Sequence, residues 1–180
     1  MNSAISIIIP TLNSEQSLAK TLYPLVDGAV TGLVSEVIIV DGGSTDDTKV
    51  LADKAGCKFI ECEKGRGLQL HAGALQAKSD WLLFLHSDTV LGMNWDAEIN
   101  RHISLYAQVD AQKCAYFKFA LDTQGFKPRI LEILVRLRCK LFSLPYGDQA
   151  LLISKSYYET LGGFKPIPCL LYTSPSPRDA

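Results

Sequence analysis

The stretch 40-VDGGSTDDT-48 decides how this chain is read. A β-branched segment, 36-EVIIV-40, runs directly into an acid, two glycines and a cluster of Ser, Thr and Asp. Such a junction is costly to bury, because every polar group taken from water needs a partner. Either it is only the turn between a strand and a helix, or the turn also holds a ligand. Taken alone, Asp41 fits both readings equally: its carboxylate can cap the following helix or accept hydrogen bonds from a bound molecule. Gly42 and Gly43 keep side chains out of the way, so backbone N–H groups can approach whatever binds.

The surroundings repeat the pattern. Residues 4–9 (AISIII) form a first β-branched run that ends at Pro10. Asn13 or Ser14 can cap a helix through Leu22, and Pro24 disturbs any continuation. After the strand at 36–40, Ser44 or Thr45 caps a helix over 46–55, with acids in its first turn where the macrodipole favours them. Residues 58–61 give a third strand and 67–77 a third helix. Residues 81–85 (WLLFL) are wholly apolar, as a strand covered on both faces should be. This alternation predicts right-handed βαβ units and a mainly parallel sheet in a Rossmann-type three-layer α/β/α sandwich.

The second half is less regular. It offers a strand within 111–121 on a mixed edge, a helix over 128–142, a strand at 150–154, and a short helix that stops at Gly162 and Gly163. The 128–142 helix turns Ile130, Leu131, Leu134, Leu137 and Leu141 inward and Arg129, Arg136, Arg138 and Lys140 outward. We read it as an ordinary amphipathic helix packed on the sheet. Peripheral contact with an anionic membrane surface is the alternative.

Composition bounds the answer. The 180 residues are 47% hydrophobic and 21% charged with a net charge of −1, which suits one globular domain with a real core. A near-neutral chain leaves no electrostatic footprint for nucleic acid. No apolar run is long enough to cross a bilayer, and 1-MNSAISIIIPTLN-13 lacks the basic region and cleavage site of a secretory signal. The five cysteines, 57, 62, 114, 139 and 169, include no CxxC pair and read as buried free thiols in a reducing cytoplasm.

Three polar clusters fall at strand ends: PTLN after the first strand, DGGSTDDT after the second and HSDT after the fourth. Ligands of open α/β sheets bind at such carboxyl ends. Familiar motifs fail one by one. Gly65-Arg66-Gly67 opens a helix as a dinucleotide fingerprint would, but Leu70 stands where the third glycine belongs. No P-loop occurs, and Ala52 sits where a calcium loop needs its bidentate acid. Asp88, at the end of a buried strand, suits a hard cation such as Mg²⁺ or Mn²⁺; capping the next segment is the plainer alternative. His86 alone reads as structural. Arg66 at a helix start can hold a phosphate or a base edge, or pair with Glu61 or Glu63. Gly147, Asp148 and Gln149 fit a sugar contact or a plain turn.

Taken in order, IIIPTLNSE, EVIIVDGGSTDDT, KGRGLQLHAGA, WLLFLHSDT, LPYGDQALLISKS and LGGFKPIP resemble the family 2 glycosyltransferases with the GT-A fold. Their wording resembles the bacterial subgroup called radical-SAM/selenodomain-associated transferases, over residues 5–168. The resemblance implies transfer of a sugar from a nucleotide sugar, often a UDP-sugar, to an acceptor of unknown kind, with a divalent cation. It places Pro10, Thr11, Asn13, Glu15, Asp41, Gly43, Arg66, His86 and Ser87 at the nucleotide-sugar site, with Asp41 on the base and Arg66 near the base or diphosphate. Asp88 matches the last acid of the DxD-type motif and would bind metal, His86 replacing the first acid. Gly147, Asp148 and Gln149 would meet the donor or acceptor sugar, and His71 stands where the subgroup usually has Asn.

The subgroup's catalytic base follows the GGF…IP segment, so it is expected beyond Pro168. There the chain continues as CLLYTSPSPRDA, whose only acid is Asp179. Residues 1–168 therefore read as a GT-A domain incomplete at its C-terminus, and 169–180 as a non-native or disordered tail. Two other readings stay open: a nucleotide-sugar-binding module without turnover, and a nucleotidyltransferase. The second is disfavoured because PTLNSEQ carries neither the glycines nor the base of that class.

Overall fold

Side chains along a strand alternate between the two faces of its sheet, and the first strand, β1 (Ile5–Thr11), buries both. Ile5, Ile7 and Ile9 join one apolar cluster, and Ile8 joins the other. β1 lies parallel between β2 (Val34–Asp41) and β4 (Trp81–Phe84). Beyond β2 lies β3 (Lys58–Glu61), also parallel. β6 (Leu151–Ser154) joins β4 antiparallel, and β5 (Cys114–Tyr116) forms the antiparallel edge next to it. The order is β3-β2-β1-β4-β6-β5, a mixed sheet whose core is parallel. The computed structural model describes residues 4–106, 114–117 and 150–164.

Helices cover both faces. On the Ile7 face lie α1 (Glu15–Leu22), α2 (Leu25–Val30), α3 (Thr48–Lys54) and α5 (Trp95–Tyr106). They bury Leu18, Leu25, Ala52, Trp95, Ile99 and Ile103 there. On the Ile8 face, α4 (Arg66–Gln76) and α6 (Lys155–Thr160) bury Leu70, Ala74 and Tyr158. The three-layer α/β/α arrangement is the one the alternating pattern predicts.

Several boundaries differ from the reading of the sequence. β1 continues through Pro10 to Thr11, because β4 pairs with β1 only as far as Ile8 and a missing N–H costs no rung on that side. Pro24 starts α2 rather than merely ending α1, since proline is tolerated at a helix start. Gly28 in α2 makes room for a tryptophan: a Cβ there would lie 2.6 Å from the Trp95 ring. That indole also donates to the Pro24 carbonyl at 3.0 Å. α2 and α5 were not anticipated at all. Cys57 and Cys62 are half-buried free thiols and Cys114 is an exposed one, so the buried-thiol expectation is met only in part at the first two and fails at Cys114. Burial pushes the Cys57 thiol up to about 11, which keeps it unreactive.

α4 packs unusually close to the sheet. A Cβ on Gly73 would lie 2.4 Å from Cγ2 of Ile8 and 2.9 Å from Cγ2 of Val40. The glycine that permits close helix–strand packing is thus present, three residues past the fingerprint position occupied by Leu70. Among the described residues no helix is long and apolar enough to cross a membrane. The 128–142 helix, Gly147 to Gln149, and everything after Phe164 fall outside the described residues.

Candidate functional site

β1 and β2 end level with each other, Thr11 opposite Asp41. The Asp41 carboxylate is 3% exposed and accepts four hydrogen bonds from its own chain. Thr11 Oγ1 and Ser44 Oγ donate to Oδ1 at 2.8 and 2.5 Å, and the N–H groups of Gly43 and Ser44 donate to Oδ2 at 3.0 and 2.7 Å. Burial pushes the carboxyl's pKa up. The bonds, led by the Ser44 hydroxyl, outweigh it and hold the group below its ordinary 3.8. Gly43 has φ +93°, a conformation open to glycine, and this lets the turn fold back onto the carboxylate.

The expected cap is therefore corrected. Ser44 and Thr45 do not start α3: Ser44 binds Asp41, and the helix begins only at Thr48, so Asp46 and Asp47 precede its first turn. Asp46 Oδ1 accepts instead from the N–H and hydroxyl of Thr48.

The loop after β1 is bonded along this turn. Asn13, at φ +51°, donates its N–H to Ser44 Oγ at 2.7 Å and accepts the Thr45 N–H on Oδ1 at 2.9 Å. The Ser14 N–H donates to Thr48 Oγ1 at 2.9 Å, and the Glu15 N–H donates to Asp46 Oδ2 at 3.0 Å. The same loop reaches the third cluster: Ser14 Oγ donates to Ser87 Oγ at 3.1 Å. From α1, Thr21 Oγ1 donates to the Ser87 carbonyl at 2.9 Å. Ser87 itself is buried. Three polar strand ends thus form one hydrogen-bonded surface, with Ser14 and Ser87 as its hinge points.

At the mouth of that surface, His86 Nδ1 meets Asp88 Oδ1, and the Asp88 side chain is 62% exposed. Arg66 opens α4 after Gly65 and is half-buried. Of the two acids considered for it, Glu61 takes Lys49 at 2.9 Å. Gln69 was missed in the sequence: it is 5% exposed, and its Nε2 donates to the carbonyls of Thr11 and Val40, both at 2.8 Å. The available signal was a polar residue inside the apolar stripe of Leu70, Gly73 and Ala74.

His71 belongs elsewhere. Its Nδ1 is 3.1 Å from the Tyr158 hydroxyl, which accepts the Phe164 N–H at 3.0 Å. Gly163, at φ +68°, would bring a Cβ within 2.9 Å of that imidazole nitrogen. Within the described residues, the GGF segment is thus tied down on α4.

The donor set fits one kind of cation. Among the described residues no three His, Cys, Asp or Glu gather as a metal cage. Asp88 beside His86 offers one exposed carboxylate at the mouth. Mg²⁺ uses one or two protein carboxylates and fills its sphere with water and phosphate oxygens. The residues therefore suit a cation that arrives with a diphosphate.

A parallel-cored sheet flanked by helices, with its polar loops fused at the strand carboxyl ends, defines a GT-A-type α/β protein. The chain belongs to glycosyl transferase family 2, whose profile matches residues 6–136. It is 34% identical over 98 residues to the glucosyl-3-phosphoglycerate synthase of Mycobacterium tuberculosis H37Rv, a match covering 48% of this chain and 29% of that protein. It is 31% identical over 86 residues to an uncharacterized glycosyltransferase of the same strain, covering 47% of this chain and 37% of the relative. The chain thus spans well under half of these relatives' lengths. Among solved structures, S. aureus TarS 1-349 superposes with a TM-score of 0.66 at 19% identity over 91% of this chain and 50% of that one. The M. tuberculosis synthase gives 0.58 at 23% identity, over 86% of this chain and 58% of the other. That synthase has also been solved with Mn²⁺, UDP and phosphoglyceric acid.

Proposed function

We propose that this chain forms the donor-binding part of a glycosyltransferase that uses a UDP-sugar together with a divalent cation. The observation that carries the reading is the fusion of the three strand-end loops around Asp41, with Asp88 left exposed at their mouth. The M. tuberculosis synthase and S. aureus TarS have both been solved with UDP, which supports the choice of nucleotide. The order and wording of the motifs support the radical-SAM/selenodomain-associated subgroup.

In this reading Pro10, Thr11, Asn13, Glu15, Asp41 and Gly43 line the nucleoside pocket. A base N–H reaching Asp41 takes the Oδ1 lone pair that otherwise serves Ser44 Oγ. Arg66 and the N–H groups at the start of α4 face the diphosphate, where a guanidinium and a helix terminus both favour anions. Asp88 holds the cation with His86 against its carboxylate, while Ser87 works from beneath by fixing their loop to Ser14 and Thr21. A divalent cation bound there would neutralise charge developing on the departing diphosphate. Arg66 stabilises the same charge through fixed donors. We read the transfer as inverting, with a carboxylate base that removes the acceptor's proton supplied beyond Pro168. Gly147, Asp148 and Gln149 would serve the sugar side.

A thermal-shift panel of UDP, GDP, CDP, dTDP and ADP, with and without Mn²⁺, tests the reading. UDP with Mn²⁺ should stabilise the chain by about 2.7 kcal/mol at a hundred times its dissociation constant. Asp88→Ala should abolish the metal-dependent part while leaving the ligand-free melt unchanged. Equal response to all five nucleotides, or none in a cooperatively melting protein, would overturn it.

A further inference from the structure

Gln69 is a polar side chain placed where the helix needs an apolar one. It lies on the inward stripe of α4 with Leu70, Gly73 and Ala74, and it is 5% exposed. A carboxamide in that place is stable only if its hydrogen bonds are made. They are made to two main-chain carbonyls on neighbouring strands, Thr11 on β1 and Val40 on β2, at 2.8 Å each. Both neighbours are acceptors, so the nitrogen must face them, and no carboxylate or hydrocarbon can replace it.

The place of these carbonyls matters. Thr11 is the residue whose hydroxyl binds Asp41, and Val40 immediately precedes Asp41. The Thr11 carbonyl also receives the Gly42 N–H at 2.9 Å. A Cβ on Gly42 would lie 3.2 Å from Gln69 Nε2, so the loop, the glutamine and the strand ends are in close contact. On the other side, the Gln69 main-chain N–H donates to the carbonyl of Gly65 at 2.9 Å, one turn back at the start of α4. Arg66 sits three residues before Gln69, on the adjacent turn of the same helix face.

We infer that Gln69 is a positioning residue for the donor site: it pins the first turn of α4, and with it Arg66, to the strand ends that carry Thr11 and Asp41. The role rests on the donor-binding reading above. It differs from a plain packing role because it sets a distance between two halves of one ligand site. Gly73 already brings the middle of the helix against Ile8 and Val40, so the glutamine's added effect lies in the first turn.

The test is a double-mutant cycle on UDP binding with Mn²⁺, read by calorimetry well below each variant's melting temperature. Gln69→Met keeps the volume and removes the donors; Arg66→Ala removes the group being positioned. Gln69→Met should weaken UDP about tenfold in the wild-type background and less than twofold in Arg66→Ala. Gln69→Asn, which keeps the amide but cannot reach both carbonyls, should behave like Gln69→Met and serves if that variant fails to fold. Equal fold-losses in both backgrounds, or a lowered melting temperature with unchanged affinity, would overturn the inference and leave the donor site standing. A wild type that binds no UDP would overturn both, and that outcome is seen before any variant is made.

Discussion

Asp41 concentrates more of the site's order than any other described side chain. A carboxylate has about four lone-pair positions, and its own chain fills four. Its first duty is therefore to shape the Gly43–Ser44 turn. Asp41→Asn keeps the shape but sets an amide N–H₂ against donors that need an acceptor. We expect it to cost about 2–3 kcal/mol in urea unfolding, the range for losing hydrogen bonds to a buried charge. The pH dependence follows from the direction of the shift. The folded carboxyl titrates below its ordinary 3.8. Its stabilisation is thus complete above about pH 5 and disappears as pH falls through the lower folded value. Unfolding curves of the wild type should steepen in this acid range, and those of Asp41→Asn should lose that part of the slope. A variant with the wild-type acid profile would contradict the assignment.

Among the elements, α4 is the informative one, since it carries both a close approach and a buried polar link. Gly73→Ala places a methyl 2.4 Å from Ile8 Cγ2, a contact that must be relieved by moving the helix or the strand. Overpacking of this kind costs about 1–3 kcal/mol, against up to about 1 kcal/mol gained in helix propensity. A net loss of stability, with the wild-type circular dichroism spectrum kept, is the expected result of thermal melts. The same helix shows what the sequence could reveal. β1, β2 and β4 were readable because strands covered on both faces are largely apolar runs, as in 81-WLLFL-85. α2 was hidden by Pro24 and Gly28, both of which look like breakers until Trp95 is seen filling the space above the glycine. α5 shows only Trp95, Ile99 and Ile103 buried, a narrow stripe in twelve residues. The site's residues were visible as polar strand ends, but their mutual bonding was not: Asn13 to Thr45 and Ser14 to Ser87 are contacts between segments far apart in the chain. Gln69 left one trace in the sequence, a polar residue inside a stripe that otherwise reads as core, but the carbonyls it bonds lie on other strands and leave none.

On the scale of the whole molecule, the sheet order decides where anything can bind. β1 lies between β2 and β4, and the connections that follow β1 and β3 carry the chain to opposite sides of it. The loops after β1, β2 and β4 must then meet at one end, which is the general place for ligands in such sheets. The antiparallel β6 and β5 extend the sheet away from that meeting point. The central claim is that residues 10–15, 41–48, 65–69 and 86–88 act as one nucleotide site. Hydrogen–deuterium exchange with and without UDP and Mn²⁺ tests it most directly. The account predicts that added protection gathers in those four segments and leaves β5 unchanged. Protection confined to β5 and β6, or spread evenly over the fold, would contradict it.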